Sequence, residues 1–464
     1  MPGGSVPQGL WVPPRTATLF VAASDALDRS RAQADFLCDG VADDVQINDA
    51  LNALPAGGGR VILSEGTFTI VAPITMPANN ITMRGQGRST FIDGDGLATG
   101  EHGIVISGFT NCCVKKLAIQ TDNGGGKICD CIYIANGANS FEIEYVTIVA
   151  SDNDGIRVAG TNMLMGYIHE CTIEQADVEG IHVNMDAANF MYRLRIVDCA
   201  ITGTANNGIY AAGRLNYSLI SGNVVYGCGL EGIFVLSGSY VTLNNNILFQ
   251  NTQNGIAITT SSHTSANNNI SYNNTRHGIT LSNSSNCILE GNICTLNDSA
   301  DAATYDGIYL NNTSTGNLLN GNHCCHNHNH GIAICGARNS LVGNYCHEND
   351  QHGILIDAAS CKVNENYCYY NGQDAAETYH GINLTGDADK CQVNDNYCSD
   401  DGAAQEDGIH LEDGASYVQL VGNYCYNGMG SGIALMANND YCLLKDNYCL
   451  ENDDYGIEIV AATC

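Results

Sequence analysis

Positive charge is scarce in this chain of 464 residues: 18 Lys and Arg stand against 49 Asp and Glu, a formal net charge of -31. That balance excludes nucleic acid and anionic membrane as partners, and it disfavours unaided binding of a polyanion unless divalent cations bridge the pair. Long apolar runs are missing, so no membrane insertion is expected. Amphipathic helical stretches are almost missing too, which disfavours helical and leucine-rich repeats. Met1-Pro2-Gly3-Gly4 offers neither a basic start nor an apolar run, so no signal peptide is visible. The 22 cysteines include no CxxC pair with zinc spacing.

What is present is repetition. A Gly-Ile phrase followed by alternating apolar and polar residues recurs with glycines at 103, 155, 180, 208, 232, 255, 278, 307, 331, 353, 381, 408, 432 and 456, and Cys131-Ile132 fills the one gap. The spacing of 22–29 residues predicts a solenoid, and the alternation predicts strands. Between these strands one Asn recurs per coil, at 223, 246, 269, 292, 322, 344, 366, 396, 423 and 447. It predicts a stacked Asn ladder at a left-handed turn. Cys294, Cys324, Cys346, Cys368, Cys398, Cys425 and Cys449 each follow a ladder Asn by two residues, and Cys287, Cys361, Cys391 and Cys442 precede one by five. Such columns read as buried, reduced thiols, with disulfides or metal as the alternatives. The fold class predicted is a parallel β-helix of about 15 coils, roughly 70 Å long at about 4.8 Å per coil.

Three segments are expected: an extended Pro/Gly-rich arm over 1–16 carrying Trp11, a cap with the first coils over 17–100, and β-helix repeats over 101–464. In the cap, Ala17 to Ala22 reads as a strand. Val45 to Leu54 reads as a helix with Asp43 or Asp44 as N-cap, plugging the first coil. The chain stops inside a coil at Gly456-Ile457, and an uncovered terminal coil invites homo-oligomerisation or end-to-end assembly.

The cap also carries a resemblance. Asp39-Gly40-Val41-Ala42-Asp43-Asp44, the helix, Gly57-Gly58-Gly59 through Gly66-Thr67-Phe68, then Arg84-Gly85-Gln86-Gly87 resembles the opening of pectate-lyase-superfamily proteins. That group includes polysaccharide lyases, polygalacturonase-type hydrolases and phage tailspikes. The resemblance implies a right-handed single-stranded β-helix, a polysaccharide or glycan partner, an extracellular or virion-associated location, and structural roles for Asp43 and Asp44.

Candidate chemistry lies in the residue before each repeat glycine. The column reads His102, Asp130, Asp154, Glu179, Asn207, Glu231, Asn254, His277, Asp306, His330, His352, His380, Asp407, Ser431 and Tyr455. A turn column of this kind is expected to be solvated, with a carbohydrate groove or a metal cluster as the alternatives. If it is catalytic, Asp130, Asp154, Asp306, His330, His380 and Asp407 are the candidates. Tyr305, Tyr309, Tyr379, His352, His410 and Arg157 would bind substrate. Phrases like Asp130-Cys131-Ile132 and Asp154-Gly155-Ile156 resemble those of polygalacturonase-like hydrolases, but the Asn-Thr-Asp triplet and an Arg-x-Lys phrase are absent.

Three coils, ending at 306, 380 and 407, are extended by polar loops that would wall a groove. Glu377, Glu406 and Asp413 would bind a cation there; no cofactor is required, and Ca2+ is the one considered. A further extended coil at 122–127 would form a smaller rim beside Asp130 and Asp154. His323, His326, His328 and His330 form a metal-like tract, yet in a β-helix turn they would point in different directions. Asp306 and Asp407 are four coils apart, about 19 Å, too far to act as a pair. Asp130 and Asp154 are on adjacent coils. Hydrolysis by carboxylates fits this composition better than a lyase needing Lys or Arg, because Arg276, Arg338, Lys362, Lys390 and Lys445 share no repeat register. The other class of function is a non-catalytic fibre, adhesin or surface-layer subunit.

Overall fold

The computed structural model describes residues 17–122, 124, 126–185, 188–299, 304–374, 378–400 and 404–460. The predicted arm over 1–16, Glu377 and the tips of the three polar loops lie outside them. The described chain is a parallel β-solenoid. The Gly-Ile strands build one 16-stranded sheet in strict chain order, from Ile74–Thr75 to Ile457–Ile459. The remaining two strands of each coil, such as Thr242–Asn244 and Ile247–Phe249, join a 32-stranded sheet.

In the sheet of Gly-Ile strands the register repeats coil after coil. Ile332 pairs with Ile354, Ile354 with Ile382 and Ile382 with Ile409, so one isoleucine column fills the core. Each buried isoleucine contributes roughly 1.5–3 kcal/mol. The glycine beside it is fixed by space, not by backbone torsion. A Cβ on Gly331 would lie 2.6 Å from the carbonyl oxygen of Gly353 on the next coil.

The Asn ladder is present and fully paired. Asn344 Nδ2 donates to Asn366 Oδ1 at 2.9 Å and to the Leu319 carbonyl at 3.0 Å, and the Asn344 N–H donates to the same Oδ1 at 2.9 Å. The left-handed residue is not the ladder Asn, as expected, but the one before it: Gly222, Asn245, Asn268, Glu365 and Asp395 all have positive φ. The turn and the ladder are therefore separate jobs held by neighbouring residues. A second ladder, Asn251, Asn274, Asn297, Asn327, Asn349 and Asn371, closes the next corner in the same way. Its signal, an Asn five residues after the first-ladder Asn at 246, 269, 292, 322, 344 and 366, is in the sequence and was missed.

The cysteine column stacks as expected, Cys324 on Cys346 and Cys346 on Cys368, with side chains buried. The described cysteines are free thiols. At the amino end the strand Ala17–Ala22 pairs with Gly59–Leu63. Two helices sit here, α1 (Asp28–Ala32), which the sequence reading missed, and α2 (Asp43–Asn52). The residue capping α2 is Ala42, not Asp43 or Asp44. Both aspartates are buried and clamp the helix to the first coil: Asp43 accepts from the Gly40 and Thr69 N–H groups, and Asp44 from that of Val71. Among the described residues, no helix is long and apolar enough to cross a membrane.

Candidate functional site

Most of the pre-glycine column is buried, not solvated as expected: Asp130, Asp154, Asp306, His352, His380 and Asp407 are buried, while His102, Glu231 and His277 are half-buried and Tyr455 is exposed. The reason is a backbone ladder. Along most of the column, the side chain accepts a hydrogen bond from the N–H of the pre-glycine residue one coil on. Asp154 N–H donates to Asp130 Oδ1 at 3.1 Å, and Glu179 N–H to Asp154 Oδ1 at 3.1 Å. His330 N–H donates to Asp306 Oδ1 at 3.2 Å, His352 N–H to His330 Nδ1 at 3.2 Å, and His380 N–H to His352 Nδ1 at 2.9 Å. Asp407 N–H reaches His380 Nδ1 at 3.3 Å, and Ser431 N–H reaches Asp407 Oδ1 at 2.7 Å. Asp, Asn and His dominate here because each presents an acceptor at the δ position.

The ladder also sets charge. A histidine accepting through Nδ1 carries its proton on Nε2 and is neutral. Burial agrees: it pushes His277 and His330 down to about 3, and His352 and His380 well below the usual range. Burial pushes the Asp306 carboxyl well up. Along this stretch burial favours the uncharged form of the acid and of the imidazoles alike.

Chemistry needs a second atom beyond the ladder contact, and Asp154 and Asp407 each show one. Asp154 Oδ2 accepts from His182 Nδ1 at 2.7 Å, and Asp407 Oδ2 from His410 Nδ1 at 2.7 Å. Both histidines stand at the second position of a Gly-Ile strand, facing outward. In that column Tyr133 pairs with Arg157, Arg157 with His182 and His182 with Tyr210. Arg157 lies between the acids, Nη1 at 3.9 Å from Asp130 Oδ2 and Nε at 4.0 Å from Asp154 Oδ2. Its guanidinium covers the Tyr133 ring at 5.7 Å. Those separations exceed a hydrogen bond. Asp130 Oδ2, Arg157 Nε and His182 Nε2 are buried polar atoms without a hydrogen-bond partner, although His102 Nδ1 approaches Asp130 Oδ2 to 3.1 Å. Oxygen atoms of Asp122, Asp152 and Asp177 lie within 4.8 Å of one another. Both carboxylate oxygens of Asp152 are buried and unpartnered. Burial and the Asp122 charge push its carboxyl up.

The second candidate region is packed more tightly. Tyr309 stacks on His277 at 4.7 Å, Tyr305 meets the same ring edge-on at 5.1 Å, and Tyr379 meets His352 edge-on at 5.2 Å. His380 stacks on His410 at 4.0 Å. These aromatic side chains rest on the column instead of standing free. Asp306, His330 and His352 spend their δ atoms on the ladder, while His380, Asp407 and His410 form a compact group. Of the expected cation ligands, Glu406 lies 3.8 Å from His380 Nδ1, and Asp413 is exposed. Among the described residues, neither joins a cluster of three metal-capable side chains.

The family description "Right handed beta helix region" matches four overlapping stretches, 130–292, 179–339, 259–398 and 378–463. The chain belongs to the right-handed β-helix family. Solved structures sharing the fold include the A-module of Azotobacter vinelandii mannuronan C-5 epimerase AlgE4, 17% identical over 92% of this chain and 98% of that one, with a TM-score of 0.37. The catalytic unit of a GH87 α-1,3-glucanase from Streptomyces thermodiastaticus is 12% identical over 82% and 67%, with a TM-score of 0.43. The Dettilon tailspike protein is 16% identical over 91% and 66%, with a TM-score of 0.43. Likeness at this level is silent on activity. No curated protein sequence matches the chain.

Within this β-helix the sequence reading missed His182, Tyr133 and Tyr210, the outward neighbours of Asp154 and Arg157. The signal existed. The position two after each repeat glycine had already drawn in Arg157, Tyr309 and His410, and read as a full column it supplies the rest.

Proposed function

We propose that this β-helix binds and depolymerises a polysaccharide at the Asp130–Asp154–Arg157–His182 cluster. The observation that supports it is the set of three buried polar atoms without a hydrogen-bond partner, Asp130 Oδ2, Arg157 Nε and His182 Nε2, gathered around an Asp–His pair. Burying such groups unpaired costs about 1–3 kcal/mol each, an expense expected where a ligand completes them. The Arg157 side chain is 30% exposed and is the part that swings aside to admit a sugar. Tyr133 and Tyr210 flank it as stacking surfaces.

In the hydrolytic reading, Asp154 holds His182 in the tautomer whose Nε2 takes a proton from water. A protonated Asp130 would give its own proton from Oδ2 to the departing glycosidic oxygen as the glycosidic C–O bond breaks, and the water oxygen bonds to the anomeric carbon while His182 keeps the proton taken from water. Calcium at Asp122, Asp152 and Asp177 would anchor an acidic chain beside the site against the protein's own negative charge. A second reading is favoured by Arg157 itself. A guanidinium between two carboxylates fits a uronate, and His182 Nε2 would then remove a ring proton in an elimination. The setting proposed is extracellular or virion-borne.

The test incubates the protein with neutral and acidic polysaccharides, with and without calcium, and follows reducing ends and the ultraviolet absorbance of unsaturated products. Asp154→Asn and His182→Gln are expected to lose about a hundredfold or more in rate. Asp306→Asn, a change within the ladder, is expected to retain activity. Reducing ends without absorbance mean hydrolysis, and absorbance means elimination. Silence across the panel overturns the enzymatic reading in favour of a structural fibre or adhesin.

A further inference from the structure

The histidine tract at 323–330 divides in the fold. His330 enters the buried column, but His323 and Cys325 share the outward face of one strand, and the next coil lays Tyr345 and His347 directly over them. The Nε2 atoms of His323 and His347 face each other at 2.6 Å. One ligand atom each from His323, Cys325 and His347 lies within 4.8 Å of the others. At the corner beside them His326 Nε2 contacts Glu348 Oε2, and His326, His347 and Glu348 form a second set of the same compactness. A surface depression of about 380 Å3, lined in part by His326, Glu348, Asp350 and Gln373, opens next to it.

We propose that His323, Cys325 and His347 bind a borderline-soft divalent cation, Zn2+ in the first instance, with His326 or Glu348 completing the shell. Three observations carry this. The donor set is two imidazoles and one thiol, which suits zinc and does not suit calcium or magnesium. Two imidazole nitrogens turned toward each other at 2.6 Å need either a shared proton or a shared cation. Tetrahedral zinc with Zn–N of about 2.0–2.1 Å sets its two nitrogens roughly 3.3 Å apart, so the pair opens by less than an ångström. Finally, the ligands are held in place: the His347 ring stacks on Tyr369 at 4.6 Å, and Glu348 Oε2 lies 3.8 Å from its Nδ1. On binding, the Cys325 thiol releases its proton to solvent and a thiolate–metal bond forms. The cation ties one coil to the next on the outer face, independently of the proposed glycan site.

The experiment titrates reduced, chelator-treated full-length protein with Co2+ and follows the near-ultraviolet thiolate-to-cobalt charge-transfer band, then displaces it with Zn2+. One saturable equivalent is expected, resistant to excess Ca2+ and Mg2+. Cys325→Ser removes the band, and His347→Gln weakens binding at least tenfold, with unchanged circular dichroism. Should Cys325→Ser fail to fold, the half-buried His323→Gln serves as the second variant, with the same tenfold loss expected. No saturable band, or a band unchanged in these variants, overturns the site and leaves a histidine–histidine hydrogen bond.

Discussion

His330→Asn tests the neutral acceptor ladder directly. In the folded protein His330 accepts the His352 N–H through Nδ1 and is pushed down to about 3, against 6.5 for a free imidazole. Its folded value is depressed, so the stability it supports is full above 6.5 and is lost as pH falls toward the folded value. Between pH 7.5 and about pH 5 the unfolded histidine gains a proton that the folded one refuses. At about 1.4 kcal/mol per unit over one and a half units, that costs roughly 2 kcal/mol. His277, held at about 3, adds a similar loss. Asp306 opposes both: its carboxyl is raised, so its contribution improves as pH falls, but it is common to wild type and variant and cancels in the comparison.

Asn supplies the same δ acceptor without a basic nitrogen. His330→Asn is therefore expected to match wild type within about 1 kcal/mol at neutral pH and to lose roughly 2 kcal/mol less on acidification. His330→Ala lacks the acceptor and is expected to be weaker by about 1–3 kcal/mol at both pH values. Hydrogen exchange of the His352 amide is the suitable assay, because a solenoid opens locally and a single unfolding midpoint averages over coils. An Asn variant with the wild-type acid slope, or an Ala variant equal to Asn, would refute the ladder.

Asn344→Ala removes four buried hydrogen bonds and orphans the Asn322 N–H; about 3 kcal/mol of local protection should disappear, read by exchange around 322–345. Gly331→Ala drives a Cβ to within 2.6 Å of a backbone oxygen that has no room to retreat. A loss of roughly 2–4 kcal/mol is expected by thermal melting, and retention of the wild-type midpoint would refute the close-approach argument. If Asp152 is a calcium ligand, calcium should raise the melting temperature of wild type and not of Asp152→Asn.

Strand period and repeat spacing made the coil legible from sequence, because every coil solves the same packing problem with the same residue types. The isoleucine, asparagine and cysteine columns were all readable as columns. What the sequence concealed was the direction of each side chain at a corner. Asp306 and His330 look like acid–base candidates on paper, but whether their δ atoms face solvent or the next N–H depends on one backbone rotation that periodicity does not encode. The pairing of Asp154 with His182, 28 residues away, and of His323 with His347 required the exact register between coils. Arg157 was found because it directly follows the Asp154-Gly155-Ile156 phrase.

The first Asn ladder makes the length of the rod an adjustable quantity. Each Asn meets an identical partner one coil on, and no coil recognises its neighbour as a particular individual. Excising Ile247 through Asn269, one repeat of 23 residues, would bring Asn246 against Asn292 with its contacts restored in kind. Duplicating the same segment would do the reverse. Such a chain can gain or lose whole units by recombination within its own gene without redesigning a core, so the number of coils is set by what the rod must span.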